Sequence, residues 1–163
     1  MTGSTVPPKI LESIQTELAN GALDSAFATI QSQLSAYSDD PNLGYLKALY
    51  YRLAGEPQLA IETLGALTAR HPDMARAHQE VALNSATLGL ERQCRDAAEA
   101  AVNLDASLLQ CWRLLEKLYQ RTAPDKVAEV QQQIEMLEEL PTELRTVVGY
   151  ISTGQLNDAE RLA

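Results

Sequence analysis

Basic residues are in the minority in this chain, 13 Lys and Arg against 22 Asp and Glu, for a formal charge of −9. A surface of that sign repels phosphate backbones and anionic lipid, which argues against nucleic acid and membranes as partners. No apolar run approaches the roughly 18 residues of a membrane span. The N-terminal MTGSTVPP has no basic stretch leading into an apolar one, so no export signal is read there. Cysteine is scarce too: Cys94 and Cys111 show neither metal-ligand spacing nor a disulfide framework, which suits a reducing compartment. These absences together predict a soluble, cytoplasmic protein. Aromatics make up only 5% of the residues, and the dominance of Ala and Leu favours packed helices over a sheet. A hydrophobic content of 45% in 163 residues is enough to bury a core.

The motifs of common chemistry are missing as well. There is no G-x-x-x-x-G-K-[ST] or G-x-G-x-x-G phosphate loop, no G-x-S-x-G elbow and no H-E-x-x-H helix. His71 falls in a turn before Pro72, and His78 falls on a helix face; a solvated turn and partial burial account for both. Asp39 and Asp40 precede Pro41 as a helix-capping pair, with no third ligand nearby to make a metal site. Glu135, Glu138 and Glu139 are read as the solvated face of a helix. Residues 1–163 therefore contain no active site, and no cofactor is expected in this segment.

What the sequence does contain is periodic punctuation. In YYRLAGEPQLAIETL, residues 50–64, Gly55 and Pro57 interrupt two runs that both have helical apolar spacing. Gly21, Gly55 and Gly89 follow one another at steps of 34 residues, and Ala123 stands where the next glycine would fall. Five residues after each break comes a small residue, Ala26, Ala60, Cys94 or Ala128, marking a slot where two helices approach closely. Tyr51, Ser85 and Tyr119 precede the break by four residues. Each break is read as the turn that folds one helix back on the next, with Pro57 in a first helical turn where its missing N–H is harmless. Leu59, Ile61 and Leu64 are then expected to meet Leu46, Leu49 and Leu53.

A step of 34 residues, with Trp112, Leu115 and Tyr119 matching the first half of a W-x2-L-G-x2-Y…A-x3-F…P pattern and Ala60, Leu64 and Pro72 the second, resembles the tetratricopeptide repeat (TPR). The resemblance implies an all-α fold, a right-handed superhelical solenoid of antiparallel helix pairs. Residues 1–8 are read as a flexible leader and 9–163 as the repeat domain. Its repeats lie near 9–40, 41–74, 75–108 and 109–140, with an incomplete one at 141–163 in which Gly154 and Ala159 keep the five-residue spacing. A solenoid needs a polar capping helix. None is read at the C-terminal end, which suggests the N-terminal part of a longer protein, or self-association through the uncapped last repeat.

In such a solenoid the first helix of each repeat lines the concave side. Matching slots give a candidate peptide-binding groove of Asn42, Tyr45, Leu49 and Arg52, then Arg76, Gln79 and Leu83, then Gln110, Arg113, Lys117 and Arg121. All its charged members are basic, which on an acidic body would focus the field on an acidic peptide. TPR resemblance likewise implies a non-catalytic scaffold for a protein or peptide. Some members of that family clamp C-terminal peptides with Lys, Asn and Arg, but the matching slots here hold Tyr45, Leu49, Glu80 and Leu114. More narrowly, YYRLAGEPQLAIETLGAL, HPDMARAHQEVAL, AAVNLDASLLQCWRLLEKLY and LPTELRTVVGYISTGQLNDAERL are similar to the N-terminal repeats of bacterial TPR-containing sulfotransferases. That resemblance implies that the repeats position an acceptor for a following domain, which uses phosphoadenosine phosphosulfate and has no counterpart in these residues.

Overall fold

A computed structural model describes residues 5–141 and Leu144. Its elements are α1 (Pro8–Ala19), α2 (Leu23–Leu34), α3 (Pro41–Leu53), α4 (Pro57–Arg70), α5 (Ala75–Thr87), α6 (Glu91–Leu104), α7 (Leu109–Thr122), a 3-10 turn (Pro124–Lys126) and α8 (Val127–Glu139). No strand occurs among the described residues. The chain divides between Pro72 and Asp73 into two compact units, each containing two helix pairs. The expected fifth repeat, with Gly154 and Ala159, lies outside the described residues.

The turns explain the period. Gly21, Gly55 and Gly89 have φ of 75°, 79° and 71°, the left-handed region that costs a residue with a Cβ about 1–2 kcal/mol. Around each, the same two hydrogen bonds close the preceding helix. Glu56 N donates to Tyr51 O at 2.8 Å and Gly55 N to Arg52 O at 3.1 Å; Ala22 and Gly21 repeat the pattern with Glu17 and Leu18, and Leu90 and Gly89 with Ser85 and Ala86. This is a Schellman motif, which satisfies carbonyls that a helix end leaves orphaned. The residue four positions before each glycine, Glu17, Tyr51 or Ser85, supplies the backbone carbonyl that accepts the returning N–H, a role that does not depend on its side chain.

Ala123 breaks the series. Pro124 follows it, and the proline ring disfavours helical ψ in the residue before it. Ala123 accordingly sits at φ −154°, ψ 68°, and the 3-10 turn replaces the glycine turn. The offset moves α8 around its axis: Ala128 is exposed, and Val130, Ile134 and Leu137 are buried instead. The small-residue slot therefore holds for Ala26, Ala60 and Cys94, all at most 2% exposed, and fails at Ala128.

In the first unit the core gathers Ile14 and Leu18 of α1, Ala26 and Ile30 of α2, and Leu43 and Leu46 of α3. Leu64 and Leu67 of α4 are also buried, whereas Leu53 and Leu59, expected to join them, are 46% and 40% exposed. Residues 5–8 do not stand apart from the fold. Val6 is buried in this core, its N–H donating to Asp40 Oδ2 at 2.8 Å, and α1 already begins at Pro8. Asp40 also caps α3, accepting from Asn42 N and Leu43 N through Oδ1.

The second unit packs Cys94, Ala97, Ala98, Ala101 and Val102 of α6 against Cys111, Leu115, Leu118 and Tyr119 of α7 and Val130 and Ile134 of α8. Four short side chains in a row on α6 leave little between it and its neighbours, which is how an Ala-rich helix closes a core without large residues.

Candidate functional site

Spacing places the candidate residues on helix faces. Asn42, Tyr45, Leu49 and Arg52 share one face of α3, since steps of three and four return to the same side of a helix. Asn42 is exposed and the other three are half-buried, Tyr45 and Leu49 against the core of the first unit. In that unit the face is largely packed surface.

More of the face is open in the second unit. Arg76 is exposed on the first turn of α5, with Gln79 and Leu83 half-buried behind it; Gln110, Arg113, Lys117 and Arg121 are exposed along α7. The two helices present these residues side by side, and Gln79 Nε2 donates to Gln110 Oε1 at 3.4 Å across the pair. Arg76, Gln79, Leu83, Gln110, Arg113, Lys117 and Arg121 thus lie on adjoining ridges of a single unit.

Its charge is less one-sided than the sequence suggests. Arg113 donates to Glu138 Oε1 of α8 at 2.6 Å, and Arg121 to Glu91 Oε1 of α6 at 2.5 Å. Both pairs are about half exposed, so they are worth roughly 0–1 kcal/mol each, but each sets a carboxylate against the charge of its arginine. Arg76 and Lys117 make no ion pair among the described residues. Lys117 and Arg121 line a cavity of about 180 Å³ whose walls include Leu114, Leu118, Ala86 and Cys94. Glu91 and Glu138 were not legible as members of the site, because separations of 30 and 25 residues from their arginines follow no repeat step.

Elsewhere in this unit His78 lines an open cleft of about 700 Å³ with Leu90, Arg92, Gln93 and Asp96. His71 is the C-terminal cap of α4. Cys94 and Cys111 are free thiols in the core. Burial, followed by the neighbouring Cys94, Glu80 and Asp105, pushes the Cys111 thiol up to about 12, and burial with Glu91 raises Cys94. A thiol held protonated is a poor nucleophile and a poor metal ligand. No cluster of three His, Cys, Asp or Glu able to hold a metal occurs among the described residues, nor is any helix there long and apolar enough to cross a membrane.

No family model matches the chain, and no curated protein does. Solved structures do. A crystal structure of MamA protein is similar with a TM-score of 0.68 and 17% identity, over 94% of this chain and 85% of that one. A second MamA crystal structure gives 0.67 and 17% over 91% and 89%. MamA is a TPR-containing protein, and at this identity the likeness shows the fold alone: the chain has a TPR-like helical-repeat fold.

Proposed function

We propose that the chain is a non-catalytic scaffold that binds a protein or peptide along the exposed face of α5 and α7. The observation that carries this reading is the pairing of those two faces in one unit, polar and partly apolar, joined by the Gln79–Gln110 bond and flanked by the cavity under Lys117 and Arg121. Short extended or helical segments dock on such ridges through a few side-chain anchors. An acidic ligand is favoured by Arg76 and Lys117, the cations of this face without an ion pair among the described residues. The two unpaired, buried cysteines fit the reducing, cytoplasmic setting expected from the sequence.

A peptide selected from a random display library on the immobilised chain tests the reading. Lys117→Glu is expected to weaken such a peptide by roughly 1–3 kcal/mol, the size of a charge-assisted hydrogen bond. An affinity unchanged by Lys117→Glu and Arg76→Glu together would remove this face from the account. The rival reading, repeats that position an acceptor for a sulfuryl-transferring domain, rests on the sequence resemblance. Reading the frame beyond Ala163 tests it: a strand, phosphate-binding loop and helix would support it, and further repeats would oppose it.

A further inference from the structure

On the side of α7 opposite Arg113 and Lys117, the second unit has another cavity, about 250 Å³, bounded by α6, α7 and the start of α8. Its lining residues include the aromatic Trp112 and Tyr119, the acidic Glu99 and Glu129, and Asn103. The rings are held in place. Trp112 Nε1 donates to Ala106 O at 2.9 Å, and the Tyr119 hydroxyl donates to Glu99 Oε1 at 2.5 Å. Burial, reinforced by that bond, pushes the Tyr119 phenol well above its usual range, so the hydroxyl remains a donor.

This cavity already has a cation at its edge. Lys126, on the short 3-10 turn, places Nζ 5.3 Å from the Tyr119 ring centroid, within the reach of a cation–π attraction. We propose that the cavity is a binding site for a primary ammonium group, supplied by a lysine side chain of a partner protein, and that Lys126 is a built-in occupant which the incoming lysine displaces.

Three features support the assignment. Aromatic faces and carboxylates converging on one cavity are the chemistry that stabilises a desolvated cation. The volume exceeds that of eight waters at about 30 Å³ each, ample for the five heavy atoms of an aminobutyl chain. Nor is the combination a general property of the repeat. One step of 34 residues earlier, His78 and Ser85 stand where Trp112 and Tyr119 stand here, so neither the indole nor the phenol recurs. The site is independent of the peptide-binding face, since it uses the other side of α7.

Trp112 is the single tryptophan, so intrinsic fluorescence of the full chain reports on the cavity directly. Titration with n-butylammonium chloride at constant ionic strength should give a saturable change that sodium chloride and n-butanol do not. Lys126→Ala, a truncation on an exposed turn, should tighten binding about fivefold by removing the competitor, and Glu99→Gln should weaken it about as much. Acetyl-Gly-Lys-Gly-amide should compete, and its Nε-acetyl-lysine counterpart, which carries no charge, should not. The proposal is overturned if neither wild type nor Lys126→Ala responds saturably, or if Glu99→Gln binds as wild type does. Binding of butylammonium without competition by the lysine peptide would overturn the assignment to a protein side chain and point to a free amine.

Discussion

Gly55 shows how much one residue decides. Its φ of 79° is left-handed, and a Cβ there would meet nothing within 4 Å, so the whole penalty of Gly55→Ala is backbone strain. Urea denaturation should find it less stable by about 1–2 kcal/mol. The same geometry at Gly21 and Gly89 is why these turns could be located from the sequence: left-handed backbone selects glycine, and the selection is visible as a 34-residue step. At Ala123 the step was visible but the turn was not, because Pro124 imposes its own restriction on the residue before it. Cys94 was legible as a packing residue for a similar reason, sitting in a slot with Ala26 and Ala60. The other core thiol, Cys111, yields a second test at this scale. A thiol whose proton is held up to about 12 in the folded state leaves the unfolded chain to release its proton first. Stability is then full below the unfolded thiol's range and falls as pH climbs through it toward about 12, with Tyr119 acting in the same direction. Denaturation midpoints measured at pH 7, 9 and 10.5 should decline, and Cys111→Ala should flatten part of that decline.

Helix ends are set by a few side chains, and two substitutions separate their contributions. Asp40 binds three backbone N–H groups, two at the start of α3 and one at buried Val6. Asp40→Ala removes a cap worth about 1 kcal/mol and strands the Val6 donor, at roughly 1–3 kcal/mol more; thermal unfolding should show the loss. The capping half of that role was readable from SDDPN, whereas the bond to Val6, 34 residues away, was not, because no local pattern marks a contact over that separation. Gly65 makes the opposite case. It lies exposed inside α4 with ordinary backbone angles and nothing within 4 Å of an added Cβ, so Gly65→Ala should stabilise by about 0.5–1 kcal/mol in the same assay. The rotation of α8 belongs to this scale as well. A three-residue 3-10 turn carries Ala128 out of the core and Val130 into it, and repeat counting alone could not register it.

For the molecule as a whole, the helix-pair fold was legible because three of the four described pairs repeat the same instructions: a glycine turn, a small residue five positions after it and apolar residues at helical spacing. The candidate face was legible only in part. Slot matching found the side-by-side residues of α5 and α7, but it predicted a uniformly basic wall. Glu138 and Glu91 neutralise Arg113 and Arg121, since partners across antiparallel helices depend on how the helices lie and not on the step between repeats. The proposed binding of an acidic peptide therefore rests on Lys117 and Arg76. Its most direct test is a chemical-shift map of the 15N-labelled chain titrated with an acidic peptide selected from a random library. Saturable shifts centred on Gln79, Leu83, Gln110 and Lys117 are the predicted result. Shifts confined to α6 and α8, or a peptide that binds Lys117→Glu as tightly as it binds wild type, would contradict it.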